Sequence, residues 1–173
     1  HMTAVPILTP WIDNAHLPLE GRATDTILAP FTGAPDVLAA QGTADDLERA
    51  IGAAQRAFQV MRGMPRHARR DLLDRIAAAL TRDRQALAAE LATSAGKPIT
   101  QALGEIDRGI MTFSLAADEA RRFGGEVIPL DIDPRANAMT GLVHRFPVGP
   151  ISAITPFNFP LNLLAHKVAP AIA

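Results

Sequence analysis

The 173 residues carry 48% hydrophobic and 20% charged side chains, the balance of a chain that buries a core and not of a disordered one. A net charge of −1 supplies no basic field for nucleic acid and no polybasic anchor for a membrane. The absence of cysteine excludes disulfides, thiolate metal sites and any cysteine nucleophile within these residues.

His1-Met2 reads as the remnant of a cleaved tag, and TAVPILTPWID after it has neither a basic leader nor a long apolar core. No apolar run is long enough to span a bilayer, so a cytoplasmic protein is expected. PFTGAP at residues 30–35 marks a turn, with short strands expected near Thr26–Ala29 and Val37–Ala40. Thr43 followed by Asp45 and Asp46 is an N-cap with acid in the first turn. Leu47, Ala50, Ile51, Ala54, Ala57, Phe58 and Met61 then recur at helical spacing. A second helix is expected from Pro65 to Gly96-Lys97-Pro98, with Leu72, Leu73, Ile76, Leu80, Leu87 and Leu91 on its apolar face. Its arginines alternate with Asp71, Asp74 and Asp83, which describes a solvated face and not a nucleic-acid surface. A third helix carries Leu103, Ile106, Ile110, Phe113, Ala117 and Ala120, stops at Gly124-Gly125, and should pack on the second.

Two strands are then expected, near Val127–Leu130 and Gly141–Phe146. ISAIT, residues 151–155, has the composition of a short buried parallel strand, and Pro160 opens a final helix. Between them stands Asn158. In open α/β sheets ligands bind beyond the carboxyl ends of the strands, where an asparagine amide offers an uncharged donor suited to an oxyanion. Asparagine is also an ordinary turn residue that bonds its own backbone, so spacing alone leaves both roles open. His16, His67, His144 and His166 have no partner at metal-ligand spacing, and no metal site is expected. No G-x-G-x-x-G follows any strand.

FPVGPISAITPFNFPLNLLAHKVAPAIA, residues 146–173, resembles the NAD(P)-dependent aldehyde dehydrogenase superfamily, with its Pro-x-Gly, apolar strand and Pro-aromatic-Asn-x-Pro turn. The Gly-Lys-Pro junction with the helix after it, and APFTGAP, are similar to earlier parts of that family. The resemblance implies an α/β fold, the N-terminal part of the aldehyde dehydrogenase architecture. Residues 1–125 would then be the hairpin and helices of a Rossmann-like cofactor domain. Residues 126–147 would be strands of the bridging, oligomerisation element, and 148–173 the first strand–turn–helix of the cofactor core.

The same resemblance assigns Asn158 to the oxyanion hole and Lys167 to a supporting, proton-relay role. Ile154, Thr155, Pro156 and Phe157 become a wall beside the nicotinamide ribose of NAD or NADP. It implies oxidation of a small aldehyde or semialdehyde to the acid through a thiohemiacetal, by a homo-oligomer (dimer or tetramer). The Cys nucleophile and Glu base would lie beyond residue 173, so these residues alone are expected to be inactive. A coenzyme A-acylating dehydrogenase and a non-catalytic oligomerisation module are the alternatives.

Overall fold

The computed structural model describes residues 5–173. β1 (Ile7–Leu8) is followed by a tight hairpin of β2 (Trp11–Ile12) and β3 (Ala15–His16). Its linking residues Asp13 and Asn14 both have positive φ, 57° and 62°. That conformation matches the twist of paired strands, and Asp and Asn tolerate it better than most side chains. PFTGAP joins β4 (Thr24–Leu28) to β5 (Pro35–Ala40) as the expected antiparallel pair, and β1 adds to β5 in parallel.

Thr43 and Asp46 form a capping box at the start of α1 (Ala44–Met61): each side chain accepts the other's backbone N–H. Asp46 does more. Its carboxylate also takes the Arg22 guanidinium in two bonds of 2.5 and 3.0 Å, fastening the loop between β3 and β4 to the helix. The Arg22 bonds first, and then the Thr43 N–H, hold the Asp46 carboxyl far below its ordinary value of 3.8. A carboxyl with a lower pKa folded than unfolded stabilises the fold above the unfolded value and loses that contribution as pH falls toward the folded one. Asp46→Asn should therefore lower the thermal midpoint at neutral pH and flatten its decline below about pH 4. Midpoints for variant and parent that stay equally far apart at every pH would contradict this assignment.

The expected second helix is two. α2 (Arg66–Arg82) and α3 (Arg84–Ala95) meet at Asp83, whose φ of −94° and ψ of 8° leave the helical region. The Asp83 carboxylate accepts the neighbouring Arg82 guanidinium at 2.8 and 2.6 Å beside the break. The bend lets Ala88 and Leu91 of α3 pack on Ala102 and Ile106 of α4 (Ile99–Arg122). Gly96 ends α3 at φ 61°, and a Cβ there would stand 2.9 Å from Pro30, so both conformation and space require glycine.

α2 and α4 pack on each other as expected. Their core is Leu73, Ala77, Phe113, Ala116, Ala117 and Ala120, completed by Ala165 and Ala169 of α5 (Pro160–Ile172). Small residues at these contacts let three helices approach closely. Arg69 ties the helix ends together, donating to the Met61, Met64 and Ile172 carbonyls.

β6 (Glu126–Pro129) and β7 (Thr140–Val143) form an antiparallel hairpin, shorter at its end than the expected Gly141–Phe146 strand. Gly125 feeds it, where a Cβ would fall 1.8 Å from the Val143 carbonyl oxygen. The strand expected at residues 151–155 does not form, so 148–173 holds a turn and a helix without the strand before them. Ile151 and Ile154 are 59% and 85% exposed. A buried parallel strand is created by neighbours on both sides, and none of the seven strands among the described residues pairs with this segment. No described helix is long and apolar enough to cross a membrane.

Candidate functional site

Glu105 lies on the buried face of α4, where helical spacing places it between Ala102, Ile106 and Gly109, and it is fully buried. A carboxylate there needs partners, because desolvating an isolated charge costs several kcal/mol. It has them on both oxygens. Oε1 accepts the backbone N–H groups of Leu161 at 3.0 Å and Asn162 at 3.2 Å, the first turn of α5. Those groups have no intrahelical acceptor, and the positive end of the helix favours an anion. Oε2 accepts Lys97 Nζ at 2.6 Å.

Lys97 sits at the α3–α4 junction between left-handed Gly96 and Pro98, with its side chain nearly buried. Its ammonium also donates to the backbone carbonyl of Asn158 at 3.0 Å. The Phe159 ring lies beside the same charge, 4.7 Å from Lys97 Nζ and 5.0 Å from the Arg108 guanidinium. The turn from Phe157 to Phe159 is thus held from beneath by one ammonium–carboxylate pair.

Ile154, Thr155, Pro156, Phe157 and Asn158 follow one another along this turn, all exposed. Among the described residues no protein group bonds the Asn158 side-chain amide, so the self-bonded role of a simple turn asparagine is not realised. Lys167 is exposed on α5, about 10 Å along the helix axis from Pro160 by helical rise. The structure therefore joins five of the six site residues on one turn and leaves Lys167 two turns away.

Ile154 to Phe157 suit one side of a dinucleotide: an apolar wall with a single hydroxyl for a nicotinamide and its ribose. They do not suit its pyrophosphate at α5. The N-terminal N–H groups that would bind a phosphate are already taken by Glu105.

Lys97, Glu105 and Arg108 were not among the residues expected at the site. The legible signal was Glu105 itself, one acid within the apolar stripe of α4, since a charge at such a position is buried with a partner.

The profile of the aldehyde dehydrogenase family matches residues 20–173. The chain is 37% identical over 147 residues to aspartate-semialdehyde dehydrogenase 1 of Pseudomonas canavaninivorans, covering 85% of this chain and 31% of that protein. It is 44% identical over 129 residues to lactaldehyde dehydrogenase of Methanocaldococcus jannaschii, covering 75% and 27%. Aldehyde dehydrogenase 21 of Physcomitrella patens, solved with the reaction product succinate, superposes with a TM-score of 0.90 at 37% identity, covering 98% of this chain and 35% of that one. The glyceraldehyde-3-phosphate dehydrogenase of M. jannaschii, solved with NADP, superposes at 0.79 and 38% identity, covering 87% and 32%. This chain spans about a quarter to a third of the length of these relatives. The fold, the turn at Asn158 and the match over residues 20–173 agree: the chain belongs to the aldehyde dehydrogenase family.

Proposed function

We propose that these residues are the N-terminal part of an NAD(P)-dependent aldehyde dehydrogenase whose oxyanion donor is Asn158. The observation that carries the reading is an exposed amide, bonded to no protein group among the described residues, on a turn whose backbone is clamped from below. In the proposed reaction a cysteine thiolate, supplied outside these residues, adds to the aldehyde carbon. The carbonyl electrons move to oxygen, and Asn158 Nδ2–H donates to the charge that develops there. An uncharged donor serves without gaining or losing a proton.

Ile154, Thr155, Pro156 and Phe157 would hold the nicotinamide side of the cofactor and exclude water from the reacting carbon. The cofactor, when bound, supplies the hydride acceptor. Lys167 would support proton movement from the edge of the site. A glutamate outside these residues would activate the water that releases the acid.

Relatives named for lactaldehyde, aspartate semialdehyde and 3-sulfolactaldehyde support a small aldehyde bearing a hydroxyl or an anionic group. Exposed Val127 and Leu142 on the β6–β7 hairpin support a homo-oligomer, dimer or tetramer, assembled through that element.

The test is product analysis with protein expressed from the whole reading frame. Lactaldehyde and a dicarboxylic semialdehyde should be converted to free acid with one NAD(P)H per aldehyde and no need for coenzyme A. Dependence on coenzyme A would assign the acylating reaction instead, and absence of turnover on any aldehyde would leave the oligomerisation module.

A further inference from the structure

We propose that Lys97 and Glu105 are positioning residues for the reaction, setting where the Asn158 amide stands through the backbone of its turn. This inference rests on the reading of Asn158 as the oxyanion donor. It starts from the way one buried pair serves both ends of the turn. Glu105 Oε1 fixes the N–H groups of Leu161 and Asn162 on the helix side. Glu105 Oε2 fixes Lys97, and Lys97 fixes the Asn158 carbonyl on the other side.

Among the described residues little else bonds to that backbone. The segment before it lacks a strand ladder, and the first backbone bond after it is Leu163 N–H to the Phe159 carbonyl. Among the described residues, Lys97 supplies the hydrogen bond that orients the Asn158 peptide. Bulk stability does not by itself call for a charged pair here, because well-packed apolar residues often replace buried ion pairs with little loss. Geometry does call for one. A displacement of about 1 Å at a reacting group can cost on the order of 10²-fold in rate.

The experiment measures kcat, KM, cofactor affinity and thermal midpoint of the enzyme expressed from its whole reading frame. Lys97→Met should lower kcat about tenfold or more, with KM and cofactor affinity changed less than about threefold. Lys97→Arg keeps the charge and a donor, and should recover most of kcat. In an Asn158→Ala background, Lys97→Met should lower kcat no further, because residues that act through one another are not additive. If Lys97→Met leaves Glu105 unpaired and the protein unfolded, the paired variant Lys97→Met/Glu105→Gln, with no buried charge, should show the same kcat loss.

Unchanged kcat in these variants beside a lowered thermal midpoint would overturn the proposal, as would effects of Lys97→Met and Asn158→Ala that multiply. An Asn158→Ala enzyme with undiminished kcat removes the oxyanion reading and this proposal with it. A damaged Asn158→Ala enzyme beside an undamaged Lys97→Met enzyme removes this proposal alone.

Discussion

Asn158→Ala is expected to lower kcat by about 10²–10³-fold while KM changes little, the usual consequence of removing one oxyanion donor. The split follows from when the bond matters. A ground-state aldehyde oxygen carries a partial charge and accepts a modest hydrogen bond. The oxygen of the adduct carries nearly a full charge, and a donor already aimed at it interacts with it far more strongly. Alanine removes the donor and leaves the Lys97 contact, which is made by the Asn158 backbone. The turn should therefore keep its shape, and the loss would report the amide alone. Asn158→Asp should be worse than alanine, since a carboxylate repels the developing charge. A decrease of less than about threefold in Asn158→Ala would contradict the assigned role.

The second large effect concerns the 173 residues by themselves. Pure protein of this sequence should form no NAD(P)H with any aldehyde, whatever its folded state. In the proposed reaction the donor on the turn would stabilise charge on oxygen only after a nucleophile adds to carbon, and the 173 residues contain no cysteine to supply a thiolate. Ile151, Ile154 and Phe157 also stand exposed, an apolar edge that invites self-association. Aldehyde-dependent turnover by the purified 173-residue chain would refute this expectation.

Local chemistry in the sequence read well. Thr43 with Asp46 marked the start of α1, Gly96 the end of α3, and PFTGAP the β4–β5 turn, because each depends on residues within a few positions. The break at Asp83 was hidden for the opposite reason. Leu80 and Leu87 stay in helical register across it, so the apolar period runs on while the backbone bends. At residues 151–155 composition reported apolar character correctly, but a strand is a relation to neighbours that composition does not contain.

The site divides the same way. Asn158 was visible from its own turn. The contacts that anchor it were not, because Lys97 holds a carbonyl 61 positions away and Glu105 an N–H 56 positions away. Only the tertiary packing of α4 against α5 brings them together. The pairing of Arg22 with Asp46, 24 positions apart, was illegible on the same grounds.

The role of Asn158 is tested most directly by the hydride burst in a single turnover. Enzyme from the whole reading frame, saturated with cofactor, is mixed with aldehyde, and NAD(P)H absorbance is followed before any slower release step intervenes. A fast burst is expected in the parent and one slowed by about 10²–10³-fold in Asn158→Ala, with cofactor affinity unchanged. Equal burst rates in the two proteins would mean that Asn158 is a turn residue and that the oxyanion is held elsewhere.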